Sequence, residues 1–116
     1  MDIINSFLFH PRKAIEDITS KDILINIEKN IKIGARLHMV NNFSPTILFF
    51  HGNGEIVTDY NEIAKEYNRR KMNFIIVDFR GYGFSNGMPN MQNTLSDSHT
   101  ILNFIIKYLL KNDFDG

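Results

Sequence analysis

Hydrophobic and polar residues alternate along two neighbouring segments near the start of the chain. In residues 22–28, Ile23, Ile25 and Ile27 fall on one side of an extended backbone and polar residues fall mostly on the other. Residues 31–40 alternate in the same way. Because only a short connection separates the two segments, the pattern predicts an antiparallel β-hairpin at the edge of a sheet.

Two later segments, 46–50 and 74–77, are apolar at consecutive positions, which is typical of strands covered on both faces. The segment between them, 58–72, carries hydrophobic residues at helical spacing. A strand, a helix and a second strand in this order predict a right-handed crossover and a parallel pair.

A long helix is predicted over residues 91–111, after a loop rich in glycine. Its expected apolar stripe contains Leu95, Leu102, Ile106 and Leu109, joined by Phe104, Ile105 and Leu110. The predicted fold class is therefore α/β, in which an N-terminal antiparallel hairpin precedes a parallel β-α-β-α unit.

Composition narrows the possible functions. The length of 116 residues predicts one domain, 1–116, and 13 basic residues balance 13 acidic ones, so nothing favours nucleic-acid binding. The absence of cysteine excludes disulfides, thiolate metal ligands and a cysteine nucleophile. No pair of histidines has the spacing of metal ligands, and we expect neither a metal nor a cofactor. No apolar run approaches the roughly 20 residues that span a bilayer, and we expect a cytoplasmic protein.

The sequence His51-Gly52-Asn53-Gly54 directly follows the apolar segment 46–50. Glycines on both sides of Asn53 allow a sharp turn whose N–H groups point outward, as in an anion site at the carboxyl edge of a parallel sheet. A dinucleotide-binding module is one alternative, because Asp78 ends the next strand. Val57 stands where that motif has its third glycine, which disfavours this alternative.

A second motif, Gly83-Phe84-Ser85-Asn86-Gly87, matches G-x-S-x-G literally and would make Ser85 the nucleophile of a serine hydrolase. Such a serine must sit on a tight turn directly between a strand and a helix. Here the strand ends near Asp78, several residues early, and Pro89 delays the helix. We therefore interpret Ser85 as a loop residue that makes local hydrogen bonds.

The two motifs together, His51-Gly52-Asn53-Gly54 and the segment 78–85 (Asp-Phe-Arg-Gly-Tyr-Gly-Phe-Ser), resemble the α/β-hydrolase family, in its serine-hydrolase branch. Asp97 matches an acidic residue of that branch, and Phe79 replaces its usual tyrosine. The resemblance implies that the backbone N–H of Asn53, with Gly54 beside it, is an oxyanion-hole donor. It also implies that the following residues form a structural motif which braces the pocket floor: His51, Gly52, Asp78, Arg80, Gly81, Gly83, Ser85 and Asp97.

The resemblance also implies that the nucleophile, the catalytic acid and the catalytic histidine follow the long helix. None of them is recognised in residues 1–116. We therefore expect a truncated, incomplete α/β-hydrolase domain, the N-terminal portion of an enzyme that hydrolyses ester-like or other acyl bonds, inactive on its own.

In this fold, a further strand would pair along the far side of residues 46–50. Without it, that strand has an open, apolar edge, so we expect self-association or completion by another polypeptide. A non-catalytic protein that binds a partner through the same edge is the remaining alternative.

Overall fold

The computed structural model describes residues 19–51 and 56–116. Its four strands are β1 (Asp22–Glu28), β2 (Ile31–His38), β3 (Thr46–Phe50) and β4 (Asn73–Val77). A 3₁₀ turn (Val57–Tyr60) leads into helix α1 (Asn61–Arg69), and a long helix, α2 (Met91–Lys111), follows β4. The predicted residues Gly52, Asn53 and Gly54 lie outside the described residues.

The four strands form one mixed sheet in the order β1-β2-β4-β3. β1 and β2 pair antiparallel, β2 and β4 also pair antiparallel, and β3 and β4 pair parallel, with Phe50 opposite Val77. Ala35 of β2 lies opposite the same Val77. The carboxyl ends of β3 and β4 therefore meet the first half of β2 at one end of the sheet, and most of the motif residues belong there.

A helix covers each face of the sheet, which confirms the predicted α/β class. Ile101 and Ile105 of α2 pack on one face against residues of β1, β2 and β4. Ala64 of α1 packs on the other face against Phe74 and Ile76. β4 is buried at all five positions because it is covered on both sides, which explains its unbroken apolar sequence.

The predicted apolar stripe of α2 faces the core only in part. Leu95, Leu102, Ile106 and Leu110 are 64%, 43%, 47% and 68% exposed. Ile105 is buried, and Phe104 and Leu109 pack against the core. The side that faces the core carries Asp97, Ile101 and Ile105, which are buried at a spacing of four residues. Apolar residues surround more than half of this helix, so the pattern alone did not determine its rotation about its own axis.

β2 ends in His38, which is 6% exposed and lies beside Phe74 with ring centroids 6.3 Å apart. Burial, together with the positive charges of Lys21 and Arg36, lowers the pKa of His38 to about 4, although Asp22 opposes them. The imidazole of His38 is therefore neutral in the folded protein at pH 7.

This depressed pKa makes stability depend on pH. Between about pH 6.5 and pH 4 the unfolded chain binds a proton at His38 that the folded chain does not bind. The stabilising contribution of neutral His38 is thus complete above pH 6.5 and is lost as the pH falls toward 4.

We expect the free energy of unfolding of His38→Gln, measured in urea, to approach the wild-type value as the pH falls. His99→Gln, at an exposed histidine, is the control, and its difference from wild type should stay constant. A constant difference for His38→Gln as well would contradict the prediction.

Candidate functional site

The candidate site is built around two side chains that follow the ends of neighbouring parallel strands. His51 follows β3 and Asp78 follows β4. Nε2 of His51 lies 3.0 Å from Oδ1 of Asp78, and both side chains are completely buried. Phe79 and Tyr82 pack against the imidazole with ring centroids 5.7 and 5.6 Å away. The pair thereby fixes His51, the last described residue before the segment 52–55.

The other carboxyl oxygen of Asp78 organises the loop that follows β4. Oδ2 accepts a hydrogen bond from the backbone N–H of Phe84 at 3.3 Å. Gly83 has a φ of 53°, and a Cβ there would overlap this same carboxyl group. Position 83 therefore requires glycine for two reasons, its left-handed backbone and the close approach of Asp78.

Ser85 joins the end of β4 to β2. Its Oγ donates to the carbonyl oxygen of Asp78 and accepts from the N–H of Gly34, both at 2.8 Å. The residue is 2% exposed. These bonds engage the hydroxyl proton and a lone pair in structural contacts, whereas a nucleophile needs an accessible hydroxyl beside a base.

Arg80 connects this loop to two other elements. Its Nε and Nη2 bond to the two carboxyl oxygens of Asp97 in α2 at 2.7 and 3.0 Å, and its Nη1 bonds to Glu28 of β1 at 3.0 Å. The hydrogen bonds to Asp97 raise the pKa of Arg80 in spite of its burial. A bidentate pair of this kind fixes geometry as well as charge, so Arg80 holds α2 in place against the loop.

The far end of the loop is attached to the turn of the hairpin. The side chain of Asn86 accepts from the N–H of Lys32 at 2.7 Å and donates to the carbonyl oxygen of Asn30 at 2.9 Å. The backbone carbonyl oxygen of Asn86 accepts a hydrogen bond from the N–H of Gly81 at 3.0 Å. Gly81 and Gly87 both have positive φ angles, 81° and 84°, which the reversals of this loop require.

The structure thus brings together most of the residues that the two motifs singled out. Those it places at this end of the sheet are His51, Asp78, Arg80, Gly81, Gly83, Ser85 and Asp97. Within residues 19–51 and 56–116, no cluster of His, Asp or Glu is suited to hold a metal ion. No helix in this part of the chain combines the length and the apolar character that a membrane span needs.

Sequence reasoning missed two contributors, Gly34 and Glu28. Gly34 interrupts a strand, and an interior glycine of this kind is a signal for the close approach of another backbone. A Cβ at Gly34 would lie 2.8 Å from the Cβ of Phe84, so the loop packs directly over this position. No local sequence pattern indicated that Glu28 binds Arg80, because the two residues are 52 positions apart in the sequence.

Comparison with known proteins gives a family match and several relatives. A family model described as serine aminopeptidase, S33, matches residues 42–111. Protein bem46 of Schizosaccharomyces pombe is 35% identical over 65 residues, which are 55% of this chain and 22% of that protein. An uncharacterized protein of Acanthamoeba polyphaga mimivirus is 39% identical over 70 residues, 57% of this chain and 23% of that protein. The alpha/beta hydrolase domain-containing protein WAV2 of Arabidopsis thaliana is 33% identical over 79 residues, 62% of this chain and 26% of that protein. The chain thus spans about a quarter of the length of these curated relatives.

The bonds of Ser85 predict a loss of stability when its hydroxyl is removed. Ser85→Ala leaves the buried N–H of Gly34 without its partner, which costs about 1–3 kcal/mol. We expect a lower free energy of unfolding in urea for this variant, whereas Ser96→Ala, at an exposed position of α2, should change it by less than about 0.5 kcal/mol. Equal stabilities of the two variants would show that the Ser85 bonds do not support the fold.

Proposed function

Because the chain belongs to the serine aminopeptidase S33 family of α/β hydrolases, we propose that it forms the N-terminal part of a serine hydrolase that cleaves ester-like or other acyl bonds. The resemblance carried by its two motifs is confirmed by this membership. The observation that carries the proposal is the buried contact between His51 and Asp78. It fixes His51 at the carboxyl edge of the parallel strands, where ligands of open α/β sheets bind.

The proposed role of the turn predicted at residues 52–54 is to donate a hydrogen bond to a developing oxyanion. We assign the donor to the backbone N–H of Asn53, with Gly54 as its neighbour. A donor acts most strongly when it is already oriented before the reaction begins. The buried pair immediately before the turn supplies a rigid starting point for such an orientation. In this proposal the loop from Asp78 to Ser85 supports the floor of the pocket.

The remaining catalytic groups are proposed to come from residues outside this chain. Ser85 is buried and bonded to backbone at the end of β4, so we do not assign it as the nucleophile. The relatives are about four times as long as the segments that match, which leaves ample length for a nucleophile, an acid and a histidine. A donor without a nucleophile gives little turnover, so we propose that residues 1–116 alone are inactive and form an incomplete hydrolase domain.

An ester assay tests the proposed division of roles. With p-nitrophenyl acetate, residues 1–116 should show no turnover above buffer, and a fluorophosphonate should not label Ser85. Turnover by this chain that Ser85→Ala abolishes would overturn the proposal, because Ser85 would then be the nucleophile.

The donor itself is tested in a longer form of the protein, in which an in-frame segment after Gly116 supplies a strand, a G-x-S-x-G turn and a helix. Asn53→Pro removes the backbone N–H and should lower kcat about a hundredfold or more. Asn53→Ala keeps the N–H and should retain most of the activity, so it is the matched control. Similar kcat values for the two variants would contradict the assignment of the Asn53 N–H.

A specific observation also supports the proposed completion by another polypeptide. Among the described residues, β3 is paired only with β4, and all five of its residues are partly exposed. The free side of such a strand offers unpaired backbone groups to another strand. We propose that this edge takes part in self-association or in pairing with a separate chain.

Sedimentation velocity over a range of concentrations tests this edge, and we expect the average mass to increase with concentration. The double variant Leu102→Lys and Ile106→Lys removes exposed apolar residues of α2 without touching β3, so it should associate as the wild type does. A monomer at all concentrations would contradict the proposal. Loss of association in the double variant would assign the contact to α2 instead.

A further inference from the structure

A separate cavity of about 410 Å³ lies between β2 and α1. Its walls include Lys21, Arg36, His38, Asn61 and Lys65. His38 is paired with Phe74 at the start of β4, whereas Asp78 follows the end of β4. At about 3.3 Å per strand residue, the cavity is about 13 Å along the sheet from the His51–Asp78 pair. Its volume falls within the range of small-molecule sites.

The wall of this cavity contains a buried polar atom that lacks a partner. Nε2 of His38 accepts or donates no hydrogen bond among the described residues, although the residue is only 6% exposed. Buried polar atoms without a partner are uncommon, and a missing ligand or ion is one cause of them. A polar group bound in the cavity would give Nε2 the partner that residues 19–51 and 56–116 do not provide.

Arg36 in the wall is held by three hydrogen bonds, and the wall carries an excess of positive charge. Arg36 is held by Asp22 through two bonds of 2.7 and 2.9 Å and by Oδ1 of Asn61 at 3.1 Å. With its oxygen turned to Arg36, the amide nitrogen of Asn61 remains as a second donor. Lys21, Arg36 and Lys65 are opposed by the carboxylates of Asp22 and Glu62 alone, which gives the cavity a net charge of +1.

We propose that this cavity binds a small anionic metabolite that carries carboxylate or phosphate groups. Lys21 and Lys65, whose side chains are exposed at the rim, provide the cationic contacts. His38 provides a hydrogen bond from Nε2 at the buried wall, and Asn61 provides its amide nitrogen. Ammonium, imidazole and amide donors that line one concave surface suit an anion better than an apolar ligand. The site is independent of the proposed hydrolase role, because it shares no residue with the His51–Asp78 end of the sheet.

The binding test uses the full chain with inorganic phosphate in one arm and citrate in the other, each against sodium chloride at matched ionic strength. Isothermal titration should show saturable binding in at least one arm, and the arm that binds identifies a phosphate or a carboxylate ligand. The double variant Lys21→Gln and Lys65→Gln should bind at least about tenfold more weakly, since each hydrogen bond from a charged group contributes about that factor.

The matched control is Lys29→Gln with Lys32→Gln, which makes the same change of charge at two exposed positions near the hairpin turn. Its affinity should stay within about twofold of the wild type. Equal weakening by both double variants would show attraction to the overall charge rather than to a built site, and would overturn the proposal.

A second readout reports on the buried wall directly. The imidazole ¹⁵N resonances of His38 should shift on titration and saturate at the same concentration as the heat signal, whereas those of exposed His99 should not. Absence of saturable binding in both arms, or binding that leaves the His38 resonances unchanged, would overturn the assignment of this cavity as an anion site.

Discussion

The end of the sheet that carries the candidate site depends on the contacts of one buried residue, Asp78. One oxygen faces His51 and the other accepts the N–H of Phe84, while the carbonyl of the same residue accepts the hydroxyl of Ser85. A carboxyl group in a dry interior is costly unless hydrogen bonds satisfy it. The contacts with His51 and Phe84 offset the cost of burying this carboxyl group, and they come from two parts of the chain, the end of β3 and the loop that follows β4.

An ion pair between Arg80 and Asp97 connects this end of the sheet to helix α2. Arg80 binds Asp97 with two parallel hydrogen bonds, and Asp97 lies in the second turn of α2. Asp97 lies on the same side of α2 as Ile101 and Ile105, which are core residues, while Leu102 and Ile106 remain exposed. The polar contact and the two buried isoleucines thus agree in how the longest helix is rotated about its axis.

The contacts of Asp78 and of Arg80 show which parts of the fold and of the site could be predicted from the sequence and which could not. The strands were predictable because alternation and unbroken apolar runs are local signals, and the parallel pair followed from the handedness of crossovers. The motif residues were predictable as a group because glycine, aspartate and serine at fixed spacing are specific. The rotation of α2 and the contact of Glu28 with Arg80 were not, because both depend on partners that no local pattern identifies. Gly52 and Gly54 predict a turn on sequence grounds. Both residues and Asn53 lie outside the described residues, so the donor role of Asn53 stays a prediction.

The separations along the sequence at this end of the sheet also have a consequence for the order in which the chain folds. His51 and Asp78 are 27 residues apart, Gly34 and Ser85 are 51 apart, and Glu28 and Arg80 are 52 apart. Contacts between distant residues require the closure of long loops, which costs entropy before any bond compensates for it. The hairpin of β1 and β2 can form as soon as it is synthesised. The loop that it supports cannot complete its contacts before Asp97 is available, because Arg80 in this loop binds that side chain in α2.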